Sequence, residues 1–239
     1  MSGFVLKGAL VEFMPTFLPV PVPNVIVFQY NPETMSHEWT QPMPATRAGS
    51  EASNPLAVRG TPGETFSFTI AMDARDEIAD GSPPAAALAA ASGIYSRLAA
   101  LEMLLYPASP ARPGLTGTVT AGIASALSGA VGGPVRTIPQ SVLPMTLFIW
   151  GAGRIVPVRV TGLSITEQLF DAALNPIHAE ARLTLQVLTP AELAAASADD
   201  SVLGRLATVA YKYTLALRQA LAIANLANAG ESVIGMIPR

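Results

Sequence analysis

Met145–Leu188, MTLFIWGAGRIVPVRVTGLSITEQLFDAALNPIHAEARLTLQVL, reads as three consecutive β-strands. The last of them alternates without a break. Ile177, Ala179, Ala181, Leu183, Leu185 and Val187 hold one phase, and His178, Glu180, Arg182, Thr184 and Gln186 hold the other. Side chains of a strand change face at every residue, so this strand has one apolar and one wet face. Roughly twelve residues at about 3.3 Å each span roughly 40 Å, about twice a common strand. So long a strand with one polar side suits an extended wall. Earlier in the stretch the phase shifts: Val156, Val158 and Val160 are even, Leu163 and Ile165 odd. One extra residue at Thr161-Gly162 reconciles the two faces, which predicts a β-bulge there. Gly151-Ala152-Gly153 lacks the third glycine of a dinucleotide loop and precedes a strand, so it reads as a hairpin turn.

Working outward, Glu64–Asp73 is a second clean alternator, with Phe66, Phe68, Ile70 and Met72 opposite Thr65, Ser67, Thr69 and Ala71. Phe4–Phe13 and Val25–Tyr30 read as strands joined by a proline-rich turn, the second apolar on both faces as if covered on each side. Asn31-Pro32 ends it. Ser36–Thr40 reads as a short further strand, and Gln41–Gly63 as a long loop rich in Pro, Gly, Ser and Ala. A low-complexity run to Ser92 leads into a helix, Gly93–Tyr106, with Ile94, Leu98, Leu101 and Leu105 on one stripe. Residues 107–144 read as a Gly/Ala/Pro-rich insertion.

After Thr189 the pattern turns helical. Ser201–Asn228 carries Val202, Leu206, Val209, Tyr213, Leu217, Ala220 and Ala224 near helical spacing, with Asp199, Asp200 and Ser201 as cap residues. About 28 residues of helix span roughly 40 Å, long enough to reach a neighbour. Leu206, Val209, Tyr213 and Leu217 are its candidate assembly contacts.

The 239 residues include 13% charged and 50% hydrophobic residues, much of the latter alanine. So low a charge share suits an obligate assembly whose subunits cover one another; a GC-rich genome favouring Ala, Gly and Pro yields the same share. A net charge of −3 without a Lys/Arg block lacks the footprint of nucleic-acid binding. The absence of cysteine excludes thiolate chemistry and disulfides. The N-terminus does not read as a signal peptide, which implies cytoplasmic synthesis. Leu115–Gly133 is glycine-rich, and Lys212 and Arg218 interrupt Leu206–Ala224, so neither reads as a membrane span and no stable membrane insertion is expected.

Candidate chemistry is sparse. Asp73, Asp76, Glu77 and Asp80 form the densest acidic cluster, but without the spacing of an EF-hand they read as a solvated turn. His37 and His178 are the only histidines, lack a paired ligand motif, and read as surface residues. No G-x-S-x-G elbow or P-loop occurs. Catalytic, cofactor-binding and metal residues are therefore expected to be none, and nothing points to a Ser-His-Asp triad.

Phe28-Gln29-Tyr30-Asn31-Pro32-Glu33 resembles the F-x-F-N-P-E signature of the tube-type proteins of contractile injection systems. Pro62-Gly63-Glu64-Thr65-Phe66-Ser67-Phe68 is similar to that family's P-E-E-L-S-F strand, with Gly63 in place of an acidic residue. Leu147-Phe148-Ile149-Trp150-Gly151 resembles its L-x-F-x-W-G strand. Leu163–Phe170 followed by Asn175-Pro176-Ile177-His178-Ala179 resembles its L-x-I-x-x-x-x-F…P-x-R-A hairpin, with His178 where arginine is common. Many adaptor relatives add a C-terminal LysM module; here Ser201–Arg239 supplies a helix instead.

The resemblance implies a mainly β fold with α additions: a tail-tube-like antiparallel β-sandwich or barrel over 1–190, a flanking helix, and a C-terminal helical extension over 191–239. It implies a structural, non-enzymatic subunit of a phage-tail-like particle, forming a six-membered ring of copies of itself between inner tube and spike, as tube initiator or hub adaptor. Partners would be the inner tube protein, the spike or hub and the baseplate proteins, assembled in the cytoplasm without a cofactor. The polar residues Thr65, Ser67, Thr69, Glu180, Arg182, Thr184 and Gln186 are then candidates to line a wet channel, and Gln41–Gly63 to stack on the adjacent ring. The rival expectation is a monomeric β-barrel binding a small apolar ligand.

Overall fold

A computed structural model describes residues 6–14, 22–42, 56, 58, 60–80, 82–106, 143–196 and 202–236. The loop within 43–55, the insertion at 107–142 and the cap residues Asp199, Asp200 and Ser201 lie outside them. The chain is mainly β with helical additions. Its strands are β1 (Ala9–Met14), β2 (Val22–Val27), β3 (Met35–Thr40), β4 (Gly63–Asp73), β5 (Met145–Ile149), β6 (Ile155–Phe170) and β7 (Pro176–Val187). Its helices are α1 (Ala74–Asp80), α2 (Pro83–Ser92), α3 (Tyr95–Met103), α4 (Pro190–Ala196) and α5 (Val202–Met236). All seven strands form one antiparallel sheet in the order β2-β1-β5-β6-β7-β4-β3.

The sheet is strongly curled. Strands β4 and β5 are separated by β6 and β7, and a flat sheet would hold them roughly 14 Å apart. Instead the Phe66 and Phe148 rings stand 5.4 Å apart and Phe68 and Phe148 5.5 Å, so the apolar faces of the two strands meet. Phe28, just past β2, closes the wrap: its ring lies 5.5 Å from Phe68 and 6.5 Å from Trp150. Gln29 beside it acts as one more strand residue. Its Nε2 donates to the Asp73 carbonyl at 2.8 Å, and the Asp73 N–H donates to its Oε1 at 2.9 Å. The even residues of β4 and the odd apolar residues of β7 fill the interior, as their alternation requires. The predicted bulge is present, as a register shift between Val160 and Gly162.

Helices α1 to α3 cover part of this core. Ile94, Leu98, Leu101 and Leu104 are buried in it, whereas Leu105 is half exposed because α3 ends at Met103 and the chain turns. The helix expected over Gly93–Tyr106 is present as α3, shorter at both ends, and the low-complexity run before it holds two helices that were not expected, α1 and α2. Alanine-rich Pro83–Ser92 has no amphipathic signal, so periodicity alone could not reveal α2. At the joint, Gly93 has φ 58°, and a Cβ there would lie 2.1 Å from the Pro176 carbonyl oxygen. That oxygen accepts from the Ile94 N–H at 2.9 Å, tying the helices to β7.

Strand β2 also departs from expectation. It runs Val22–Val27 and is an edge strand, with Val25 51% exposed and Val27 also open, so it is covered on one face only. Helix α4 was hidden in an alanine run but is fixed by a reciprocal cap. The Thr189 N–H donates to Glu192 at 2.8 Å and the Glu192 N–H to Thr189 Oγ1 at 3.3 Å. The 35 residues of α5 span about 52 Å, longer than the periodic stretch suggested. Among the described residues no helix is long and apolar enough to cross a membrane.

Candidate functional site

The sheet brings all seven candidate channel residues onto one face. In the antiparallel register Thr65 stands opposite Gln186, Ser67 opposite Thr184 and Thr69 opposite Arg182, with Glu180 next in line beside Ala71. Directly opposed residues share a face, so the rows continue outward. On β6, Arg159, Ser164 and Thr166 stand opposite Gln186, Arg182 and Glu180. On β3, Glu38 and Ser36 stand opposite Thr65 and Ser67. The result is a polar wall four strands wide, knitted by Arg159 to Gln186 (2.6 and 2.9 Å) and Ser67 to Thr184 (3.4 Å). Among its charged groups Arg159 and Arg182 stand against Glu38 and Glu180, and Asp73, at the end of the same rows, faces His178.

Among the described residues the wall runs out to an unpaired edge. Asp73 turns its N–H and C=O toward Gln29 on the β3 side, so the odd residues of β4 serve β3 and the even ones β7. Ser36, Glu38 and Thr40 therefore carry the β3–β4 ladder, and the backbone groups of Met35, His37 and Trp39 point outward. At the other end the Phe28 N–H donates to Gly8, which puts Pro23, Val25 and Val27 on the outward phase of β2. Pro23 has no N–H to offer, and the Val27 carbonyl accepts from Arg97 at 3.2 Å. Val25 keeps both groups at that rim, beside a cavity of about 640 Å³ between β2 and α1–α3.

Beneath the β3 edge lies a charged clamp that sequence reasoning missed. Glu64 is only 3% exposed, in phase with Phe66 and Phe68 on the core side of β4. A carboxylate there requires charged partners. Arg218 of α5 donates to both of its oxygens, at 2.9 and 2.5 Å, and His37 Nε2 lies 2.6 Å from Oε1. Aromatic faces hold the cations in place: the Arg218 guanidinium sits 4.8 Å over the Trp39 ring and that of Arg154 5.0 Å over Phe66. His37 stacks on Phe66 at 4.4 Å. Burial pulls the His37 imidazole below its ordinary value, against the upward pull of Glu64. Burial and the neighbouring Arg218 likewise lower Arg154. The signal was available: Glu64 is the single charge in the apolar phase of its strand.

The other histidine is also half-buried. His178 Nδ1 stands 3.3 Å from Asp73 Oδ2. The acidic cluster is not a solvated turn: Asp73 ends β4 beside His178, and Asp76 and Glu77 lie in α1 with partners of their own. Asp76 accepts from the Tyr30 hydroxyl and Glu77 from Arg97. Among the described residues no group of three or more His, Asp or Glu could hold a metal ion.

The assembly candidates on α5 divide. Leu206, Val209 and Tyr213 are exposed, while Leu217 is half-covered near Gly153. The sheet side of the helix is Ala207, Ala210 and Thr214. Thr214 Oγ1 accepts from the Ile155 N–H at 3.1 Å and donates to its carbonyl at 2.8 Å. Neither a comparison with protein-family models nor one with curated proteins returns a match.

Proposed function

We propose that the chain is a structural, non-enzymatic subunit of a phage-tail-like contractile injection system. Six copies form a ring that joins the inner tube to the spike and baseplate hub, as tube initiator or adaptor. The observation that carries this reading is a polar wall four strands wide whose last strand, β3, has an outer edge unpaired among the described residues. An exposed edge of this kind is a template for another chain. The β3 edge of one copy lies beside the β2 edge of the next, through Met35, His37 and Trp39 on one side and Val25 on the other. Head-to-tail contacts of a single kind close into a ring when the rotation permits. Thr65, Ser67, Thr69, Glu180, Arg182, Thr184 and Gln186 then line a hydrated bore of mixed charge. The partners are further copies, the inner tube protein, the spike or hub and other baseplate proteins, met during assembly in the cytoplasm.

A ligand-binding barrel would need space between its apolar faces. Phe28, Phe66, Phe68, Phe148 and Trp150 stack there instead, at 4.5–7 Å separations typical of packed aromatics.

Val25→Pro tests the edge. Pro23 already occupies the same phase of β2, so the change removes one outward N–H and leaves the β1–β2 ladder intact. Sedimentation velocity should give a hexamer for the unaltered chain and a monomer with unchanged circular dichroism for the variant. Hexamers that survive Val25→Pro would contradict edge pairing.

A further inference from the structure

Helix α5 carries a second apolar face that its own sheet does not cover, although the Tyr213 hydroxyl on that face donates to the Ala152 carbonyl at 3.1 Å. Val202, Leu206, Val209 and Tyr213 recur at steps of four, three and four, and Ala216, Ala220 and Ile223 continue at three, four and three. This is the 3.5-residue repeat of a coiled-coil seam, held over three heptads. All seven positions are exposed, Val209 by 62%, on the side away from Ala207, Ala210 and Thr214. One side of the seam is a basic flank. Arg205 and Lys212 stand one residue before Leu206 and Tyr213, where coiled coils place the charges that select a partner. Both are exposed, and neither pairs with a carboxylate among the described residues. No acidic residue lies in Val202–Asn225 to balance them.

We infer that α5 docks an amphipathic helix of another protein, one whose apolar seam is flanked by aspartate or glutamate. Charge decides against a second copy of α5. In an antiparallel pair Arg205 and Lys212 would face their own counterparts, and in a parallel pair they would face Ala210 and Leu217, with no carboxylate in either case. An acidic flank satisfies both cations, and the small Ala216 and Ala220 let the partner backbone come close. The inference is independent of ring closure, because the seam does not involve the edges of β2 or β3.

The test uses the full chain and two synthetic helical peptides, identical in a leucine/alanine heptad seam and carrying glutamate or lysine on the flanks. Fluorescence anisotropy at low salt should show the glutamate peptide binding at least about tenfold more tightly, the size of one or two charge pairs. The double variant Arg205→Glu/Lys212→Glu should reverse that preference. Val209→Glu should abolish binding of both peptides without shifting the thermal midpoint, since the position is already exposed. Equal affinity for the two peptides, or binding of neither, overturns the inference. So does a dimer in sedimentation that Val209→Glu dissociates, or binding to phosphatidylserine vesicles through Leu206 and Val209 without peptide binding.

Discussion

Glu64 is the residue at which the two halves of the chain meet. A carboxylate so deeply covered is tolerated because Arg218, more than a hundred and fifty residues later, grips both oxygens and His37 shares one. Removing one partner of such a pair leaves a charge stranded. Arg218 is about a third exposed and His37 remains, so Arg218→Ala should cost less than a fully buried break, about 2 kcal/mol. Urea melts of variant and parent check this, and a midpoint unchanged by Arg218→Ala contradicts it. His37 adds a pH dependence. Its folded value lies below the 6.5 of the unfolded chain, so below 6.5 the unfolded state binds more protons. The contribution of His37 is therefore fully present above that pH and is lost as pH falls toward the folded value. The stability difference between parent and His37→Gln should shrink between about pH 7 and pH 5. A difference that grows over that range contradicts the assignment. At this scale the sequence was half legible. The apolar residues of β4 and β7 fell where alternation put them, whereas the clamp depends on α5 packing back on β6 so that Arg218 reaches Glu64 and Trp39, which no local pattern encodes.

Among the elements, strands were easier to find than helices, for a physical reason. A half-buried strand writes a two-residue period into ten or so positions, and β4, β7 and the bulge in β6 all carried it. Alanine-rich helices α2 and α4 bury few large side chains and leave no stripe to read. Their ends are set instead by turns and caps such as Thr189 with Glu192 and Gly93 against Pro176. Gly93 makes the sharpest test. Its positive φ and its close approach to the Pro176 carbonyl both exclude a side chain, so Gly93→Ala must push α3 off the start of β7. The expected cost is about 3 kcal/mol, with protection of the Ile94 amide against hydrogen exchange reduced. A variant as stable as the parent, with Ile94 still protected, contradicts this account of the joint. The β6–β7 hairpin shows the other limit. Its polar phases were clear, but Leu169, Phe170 and Leu174 at its tip are exposed although apolar.

For the whole molecule, we propose that the curled sheet is one segment of a larger wall. The chain places large side chains in a filled interior and leaves a polar face of mixed charge that, among the described residues, ends at an unpaired edge. A sheet intended to stand alone commonly blunts its edges. Here β2 is partly blunted, by Pro23 and by Arg97 on Val27, while the outward groups of β3 are not capped in that way by any described hydrogen bond. The fold class and the polar face were readable from alternation. The extent of curling was not, because it depends on contacts between β4 and β5 that lie about eighty residues apart. The most direct test is negative-stain electron microscopy of the purified full-length chain at assembly concentrations. Six-fold rings with a central opening are the predicted result; a population of single particles with no ring at any concentration would contradict the claim.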